Sequence, residues 1–222
     1  EDNNSISIPA LPNLDNNIQY GNSLIESNQT DSENREEINP FDFGNIKFDV
    51  IVGNPPYMAT EHIKRFTPEE LPIYKRDYTT AFMQFDKYFL FIQRGFELLK
   101  QSGILGYIIP SKFAKVGAGK NLRKLLSEEK AVEKIISFGA NQIFKDKTTY
   151  TCLLILKKID LNSLLYHEVE ILGNWKVKNY TVSYDDVEYS SLNDDTWVLM
   201  PNHLKPLYRS ISSQSIKLGN LI

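Results

Sequence analysis

The sequence predicts an α/β fold built on a parallel sheet. Two short apolar strands, at residues 48–53 and 104–109, are separated by a segment whose apolar side chains recur with a helical period. A basic helix at residues 121–129 then leads to two further strand patterns, at residues 132–138 and 150–156. Strand, long helix, strand, helix and strand is the alternation that typically produces a parallel sheet covered by helices.

Local signals mark the ends of these elements. The strand at residues 48–53 stops at two prolines, which cannot donate hydrogen bonds to a neighbouring strand. The helix between Asp86 and Lys100 ends at Ser102-Gly103, and Pro110 stops the strand that follows. The apolar stripe of this helix, which we expect to be core, consists of Phe85, Tyr88, Phe89, Ile92, Phe96 and Leu99.

The two ends of the chain differ from this central part. Residues 26–45 are polar, acidic and poor in large aliphatic side chains, which predicts a surface loop. Beyond Lys158 the patterns are shorter, with β-like segments at residues 167–172 and 175–182 and a helix near residues 202–211. We therefore expect a smaller, β-rich segment after the main α/β part.

Composition excludes several classes of protein. The chain has 222 residues, of which 41% are hydrophobic and 24% charged, as in an ordinary folded domain. No apolar run reaches the roughly 18–20 residues of a membrane span, and the first residues do not resemble a signal peptide. Cys152 is the single cysteine, so an internal disulfide and a cysteine metal cluster are excluded, which fits a cytoplasmic location. The three histidines are too scattered to predict a metal site.

Charge is distributed unevenly along the chain. Residues 1–46 carry a net charge of −8, residues 47–158 carry +8, and residues 159–222 carry −3. A basic middle segment permits a polyanionic partner without proving one. Its densest group of cations is best interpreted as a solvated helix face, with contact to phosphate left as the alternative. This group comprises Lys112, Lys115, Lys120, Arg123 and Lys124.

The most informative motif is Asn54-Pro55-Pro56-Tyr57, which directly follows an apolar strand. By itself it could be a simple proline turn with a capping Asn and a surface Tyr. Ligands of open α/β sheets, however, bind outside the carboxyl ends of the strands, and this tetrapeptide lies at such an end.

Four further segments accompany it in order. Residues 18–24 match a strand-end motif in which Asn22 stands where an Asp is usual. Residues 86–103 have the pattern of a helix that leads into a Gly-ended turn, and residues 108–113 match the next strand with its Pro-Ser exit. Phe144-Lys145-Asp146 precedes the strand at residues 150–156. With this set, the chain resembles the N6-adenine DNA methyltransferases, and within them the methylase portion of type II (type IIG, Eco57I-like) restriction-modification enzymes.

The resemblance implies a fold and a domain organisation. The fold would be the C-terminal part of a Rossmann-like sheet of S-adenosylmethionine-dependent methyltransferases, with a short β-rich connector. Residues 1–158 would form a partial catalytic domain, and residues 159–222 a connector toward a target-recognition domain. No Gly-rich cofactor loop precedes Ile18, so we expect the chain to be a piece of a longer bacterial or archaeal enzyme and to be inactive alone. The parent chain could also carry a nuclease.

The resemblance also implies the site residues. S-adenosyl-L-methionine would be the cofactor and double-stranded DNA the substrate, without a metal. The implied catalytic residues are Asn54, Pro55, Pro56 and Tyr57. The implied substrate-binding residues are Tyr57, Phe144 and Lys145. The implied cofactor-binding residues are Asn22, Ser23, Asn54 and Phe91, of which Phe91 would face the cofactor adenine.

The residue types suit this chemistry. The exocyclic amine of adenine is a poor nucleophile because its lone pair is delocalised into the ring. The side-chain oxygen of Asn54 and the carbonyl oxygen of Pro55 could accept its two N–H bonds and so localise the lone pair, while Pro56 fixes the turn. A sulfonium is already an activated methyl donor, so positioning and electrostatics are sufficient. Tyr57 would provide a stacking face for a base that has left the duplex, with Phe144 on its other side.

Two alternatives remain open from the sequence. A glutamine-amide methyltransferase that acts on a protein would face the same chemical problem with the same tetrapeptide. A non-catalytic interaction module could keep the fold and lose the cofactor, and Asn22 in place of Asp is consistent with that.

Overall fold

The computed structural model describes residues 17–144, 149–175, 177 and 181–214. The chain divides into two compact units, Glu1–Gly44 and Asn45–Ile222. Lys145 lies outside the described residues. So do residues 176 and 178–180, which belong to the β-like pattern predicted at residues 175–182.

The described part of the first unit consists of short turns. Its elements are two 3-10 turns and a one-turn helix: Ser27–Gln29, Ser32–Asn34 and α1 (Arg35–Ile38). Ile38 is buried, and α1 ends at Asn39, which adopts the left-handed conformation (φ 48°) that Asn tolerates better than most residues. The predicted polar loop at residues 26–45 is therefore mostly exposed, as expected, but it contains a helical turn anchored by an apolar side chain.

The second unit contains a six-stranded sheet in the order β1-β2-β4-β3-β5-β6. Its strands are β1 (Phe48–Gly53), β2 (Leu99–Pro110), β3 (Val132–Ser137), β4 (Thr151–Lys157), β5 (Ser163–Glu168) and β6 (Asp185–Glu188). Its helices are α2 (Thr60–Phe66), α3 (Glu70–Asp77), α4 (Lys87–Leu98), α5 (Lys120–Glu128), α6 (Leu172–Trp175) and α7 (Lys205–Gln214).

The sheet is mixed, so the expectation of an all-parallel sheet was wrong. β1 pairs with β2 and β3 pairs with β5 in parallel, but β4 lies antiparallel between β2 and β3. The described part of the β3–β4 connection contains no helix, and parallel neighbours usually need a helical crossover. The strand predicted at residues 150–156 therefore runs antiparallel to both of its neighbours. The α/β class itself is confirmed.

Helix α4 packs closely on one face of the sheet. Leu105, Tyr107 and Ile109 alternate inward along β2 and are buried. Gly95 of α4 is so near them that a Cβ atom there would lie 2.4 Å from Leu105 Cδ1, so a larger residue would force the buried Leu105 side chain to shift. The predicted apolar stripe of α4 is confirmed as core, since its side chains are almost completely buried. The opposite face is more open at β1, where Val52 is 77% exposed.

The sheet continues beyond Lys158. β5 pairs with β3, and the hydroxyl of Tyr189 both donates to the carbonyl of Val132 and accepts its N–H. Trp197 is buried, and its backbone N–H donates to the carbonyl of Ala114. Much of this segment therefore packs with the sheet, and its role as a connector to a recognition domain stays a prediction.

One strand position in this segment was predicted incorrectly. The expected strand at residues 167–172 lies earlier, at β5, and residues 172–175 form α6 instead. Trp175 packs from α6 onto Phe138 with the rings 5.8 Å apart, so a tertiary contact determines the local structure here. The helix predicted near residues 202–211 is confirmed as α7 and the 3-10 turn before it.

Candidate active site

One edge of the sheet gathers the chemically useful residues. β1, β2, β3 and β5 end at this edge and β4 begins there, because β4 runs in the opposite direction. A cleft of about 750 Å³ opens at the edge. Its lining includes Tyr57, Asp86, Ser111, Lys112, Lys115, Tyr150, Cys152 and Glu168. The size is typical of a ligand-binding cleft.

The Asn54-Pro55-Pro56 turn begins directly after β1. Pro55 is buried, whereas Asn54 and Pro56 are exposed. Within the part of the chain that the structure describes, the Asn54 carboxamide makes no hydrogen bond and no ion pair. The turn is thus anchored by a proline ring and leaves an amide accessible at the carboxyl end of the strand.

Tyr57 is fixed in place by its hydroxyl group. This hydroxyl donates a hydrogen bond of 2.9 Å to the carbonyl of Ile108, near the end of β2. The ring is half-buried and meets Tyr88 edge to face, with centroids 6.1 Å apart. Burial, with a smaller contribution from Cys152, raises the pKa of Tyr57 to about 12, so the hydroxyl stays protonated and keeps donating. One part of the ring remains available to the cleft that it lines.

The residues after Tyr57 are clamped to the start of α4. The N–H and the hydroxyl of Thr60 both donate to the carbonyl of Phe85, at 3.0 and 2.7 Å. The N–H of Lys87 donates to the carbonyl of Met58 at 2.7 Å. The tetrapeptide is therefore held at both ends, by β1 before it and by this short pairing after it.

Asp86 joins α4 to the exit of β2. It occupies the N-cap position of α4, but its side chain makes no capping hydrogen bond. Its carboxylate instead pairs with the ammonium group of Lys112 at 2.8 Å. The Asp86 side chain is 10% exposed and that of Lys112 is 49% exposed. Because both residues line the cleft, this ion pair places an ammonium group together with its neutralising carboxylate at the wall.

Arg123 corrects the interpretation of the basic cluster. It is 2% exposed and donates to four backbone carbonyls, those of Phe113, Val116, Asp194 and Asp195. Desolvation lowers the pKa of its guanidinium, with Asp194 and Asp195 acting in the opposite direction. Gly119 lets this arginine approach, since a Cβ there would lie 2.3 Å from the Phe113 carbonyl oxygen. Arg123 is therefore a structural residue and not part of a solvated face.

The lysines of that cluster separate into two groups. Lys120 pairs with Asp194 at 3.3 Å and Lys124 with Glu128 at 3.8 Å. Both are surface pairs of small energetic value. Lys112 and Lys115 instead line the cleft.

Cys152 is not a nucleophile in this arrangement. It is completely buried, and burial raises the pKa of its thiol to about 12, so the reactive thiolate is not populated near neutral pH. Glu168, which also lines the cleft, accepts a 2.8 Å hydrogen bond from the hydroxyl of Tyr166.

The predicted site residues do not all meet at the cleft. Among those that the structure describes, Tyr57 lines it, while Asn54 lies in the adjoining turn. Phe144 is half-buried and does not contribute to the lining, so its contact with a base stays a prediction. Sequence reasoning did not single out Tyr150, which lines the cleft and directly precedes β4; its signal was an aromatic residue beside a strand that begins at the site edge.

The predicted cofactor residues have the donor chemistry of an adenosyl site. Asn54 and Ser23 offer polar groups, and Phe91 on α4 is only half-buried, which leaves part of an aromatic face accessible. In the first unit, Asn22 Oδ1 accepts the N–H of Leu24 at 3.1 Å, so this oxygen shapes the turn that an acidic residue usually occupies. Taken one by one, these residue types suit S-adenosylmethionine, with a neutral amide at Asn22 in place of a carboxylate.

A metal-binding cluster and a membrane-spanning helix are both absent from the described residues. In residues 17–144, 149–175, 177 and 181–214, no group of three or more His, Cys, Asp or Glu side chains could hold a metal ion. No helix in the same residues is long and apolar enough to cross a membrane.

Comparison with known proteins places these features in a family. The family model described as Eco57I restriction-modification methylase matches residues 1–144. The type II restriction enzyme and methyltransferase RM.Eco57I of Escherichia coli is 52% identical over 217 residues, which cover 96% of this chain and 22% of that protein. The type II methyltransferase M.BstVI of Geobacillus stearothermophilus is 27% identical over 187 residues, or 76% of this chain and 33% of that protein. The chain thus spans between about a fifth and a third of the length of these relatives.

A solved structure supports the fold. The cryo-EM structure of the DrdV–DNA complex superposes with a TM-score of 0.51 at 18% identity, covering 69% of this chain and 18% of that one. Together with the family match, this confirms the predicted Rossmann-like methyltransferase fold class.

Proposed function

Because the chain belongs to the Eco57I restriction-modification methylase family, we propose that it carries the catalytic turn of an N6-adenine DNA methyltransferase that uses S-adenosylmethionine. The observation that carries the proposal is the accessible Asn54 amide beside a cleft in which Tyr57 is fixed. The sequence identity to the Escherichia coli relative supports the class of enzyme. Because that relative is much longer than this chain, the activity of the whole protein is itself part of the proposal.

Asn54 and Pro55 activate the amine in this proposal. Adenine N6 carries two N–H bonds, and the side-chain oxygen of Asn54 and the carbonyl oxygen of Pro55 accept one each. Accepting both favours a pyramidal nitrogen, whose lone pair then points at the methyl group. Asn54 is suited to this role because no other hydrogen bond in the described part of the chain occupies its amide. The burial of Pro55 supports the orientation of the turn.

S-adenosylmethionine, when bound, supplies a methyl group already activated by a sulfonium. Asn54, Phe91, Asn22 and Ser23 are the residues of this chain that we propose to hold it. The protein then needs to position two reactants and exclude water, and it needs no general base.

The target adenine must leave the duplex to reach this edge. Extrusion of a base costs a few kcal/mol of stacking, and an aromatic face returns about 1–3 kcal/mol. Tyr57 is placed for that, because its hydroxyl bond to Ile108 holds the ring at the cleft before any base arrives. Lys115 lines the same cleft and has no ion pair in the described part of the chain, so it is the cation there that favours a phosphate-bearing strand, whereas Lys112 is paired with Asp86.

Sequence recognition belongs to other parts of the whole protein in this proposal. The Escherichia coli relative is named as both a restriction enzyme and a methyltransferase. We therefore propose a target-recognition domain, and a nuclease domain, in the same parent chain as this segment.

Product analysis tests the proposal. The whole protein is incubated with genomic DNA and S-adenosylmethionine that carries an isotope-labelled methyl group, and the DNA is digested to nucleosides for mass spectrometry. We expect the label in N6-methyladenine, and none when the protein is omitted. Label in N4-methylcytosine would overturn the assignment of adenine, and label in protein glutamine without labelled DNA would overturn the DNA methyltransferase assignment.

A further inference from the structure

Tyr150 presents an aromatic ring at the rim of the cleft. The residue is 64% exposed and belongs to the cleft lining. Its side chain has no hydrogen bond and no ring contact with the rest of the described chain. Single exposed apolar residues are common on protein surfaces, so exposure alone implies nothing. The position at the cleft is what distinguishes this tyrosine.

The backbone of Tyr150 is held firmly although its ring is exposed. Its carbonyl oxygen accepts two hydrogen bonds from Ser111, one from the N–H at 2.9 Å and one from the hydroxyl at 3.2 Å. The next residue, Thr151, is buried and pairs with Pro110 in the sheet. An accessible ring on a fixed backbone is preorganised for contact with a ligand.

Strand order places Tyr150 and Tyr57 on either side of the exit of β2. The neighbours in the sheet are β1, β2 and β4, and Tyr57 follows β1 while Tyr150 precedes β4. Both residues are anchored at the end of β2, Tyr57 through the hydroxyl bond that it donates to the carbonyl of Ile108 and Tyr150 through the bonds that its carbonyl accepts from Ser111. Both also line the same cleft, whose volume of about 750 Å³ is ample for one base.

We propose that Tyr150 is the second aromatic wall of the pocket for the extruded adenine, facing Tyr57. This inference rests on the proposed function and adds the residue that covers the other face of the base. It differs from the expectation that Phe144 has this role, because Phe144 is half-buried and is not part of the cleft lining.

Fluorescence of 2-aminopurine tests the inference in the whole protein. The probe replaces the target adenine, whose position is first located by sequencing DNA that the wild-type protein has methylated. The emission of 2-aminopurine rises on unstacking and is quenched again against an aromatic face. Tyr150→Ala should give a brighter signal than wild type and an approximately ten- to hundredfold lower kcat/KM on unmodified DNA. Tyr150→Phe restores the ring and should return both quantities toward wild-type values.

A matched control is Tyr208→Ala, since Tyr208 is 45% exposed on α7 and does not line the cleft. It should behave like wild type. Phe144→Ala is measured beside it. Equal emission and kcat/KM in Tyr150→Ala and wild type would overturn the inference, as would the full effect appearing in Phe144→Ala alone. A dimmer signal in Tyr150→Ala would also overturn it, because the tyrosine would then hold the duplex open instead of covering the base.

Failure of the underlying function is distinguishable. In that case the wild-type protein itself would methylate no adenine and would give no rise in emission, whatever residue stands at position 150.

Discussion

Two segments leave the same edge of the sheet from neighbouring strands, and they are held very differently. The segment after β1 begins with Asn54, which is exposed and makes no hydrogen bond to the rest of the described chain. The segment after β2, residues 111–119, is tied down by the buried guanidinium of Arg123 and by Ser111. In the proposed function, the first segment would supply the reacting amide of Asn54, and the second would supply a fixed wall of the cleft.

The second segment is held in place by a cation that is buried, and burial of a charge is unfavourable unless the charge is fully hydrogen-bonded. Arg123 lies in a nearly solvent-free position and is satisfied by backbone carbonyls instead of a carboxylate. Such a group stabilises only while each partner is present. These hydrogen bonds fix the course of the loop that carries Lys112 and Lys115 at the cleft. A site of this kind requires that supporting residues be held before the ligand arrives.

The largest expected effect on stability comes from removing the support. Arg123→Met keeps the apolar stem but removes a donor from four carbonyl groups, of which that of Val116 still accepts the N–H of Gly119. The free energy of unfolding should therefore fall by roughly 2–4 kcal/mol. Urea denaturation of the whole protein measures this loss. Amide hydrogen exchange should also quicken selectively in residues 113–119.

Lys124→Met is the matched control for Arg123→Met, because Lys124 lies on the same helix and forms an exposed pair with Glu128. Its removal should cost no more than about 0.5 kcal/mol. If both variants lose the same stability, Arg123 does not support the loop and the comparison between the two segments is wrong.

An effect of intermediate size on stability is expected at Tyr57, because its hydroxyl anchors the turn and its ring lines the cleft. Tyr57→Phe removes the hydrogen bond to the Ile108 carbonyl and should lower stability by about 1 kcal/mol, while the ring and most of the methyl transfer remain. Tyr57→Ala removes the ring as well, and kcat/KM should fall by a further amount equivalent to about 1–3 kcal/mol. Steady-state kinetics and thermal unfolding of the two variants separate these contributions. Equal loss of methyl transfer in both would assign the role to the hydroxyl and not to the ring.

Local patterns in the sequence predicted the framework of the second unit well. β1, α4, α5 and β3 lie within about two residues of their expected positions, because each carries a clear apolar period and a stop signal. β2 ends where expected but begins at Leu99 instead of residue 104, so the helix before it ends ahead of Ser102-Gly103. The proline motif and its place at a strand end also followed from the sequence alone.

The remainder depended on contacts between distant residues. Arg123 has the spacing of a solvated helix face, and what buries it is a segment some 70 positions later, around Asp194 and Trp197. The direction of β4 depends on its neighbours, since the same apolar run suits a parallel or an antiparallel strand. Tyr150 could not be singled out before that direction placed the start of β4 at the site edge.

The smallest effect on stability, and the most informative experiment, concerns Asn54. The central claim is that its amide acts on the substrate and contributes nothing to the scaffold. Asn54→Ala should therefore leave the free energy of unfolding within about 0.5 kcal/mol of wild type and leave DNA binding intact. Methyl transfer to adenine by the whole protein should fall by at least about 10²–10³-fold, the loss typical of one preorganised hydrogen-bonding group in a reacting complex. A folded, DNA-binding Asn54→Ala protein that retains near wild-type methyl transfer would contradict the account.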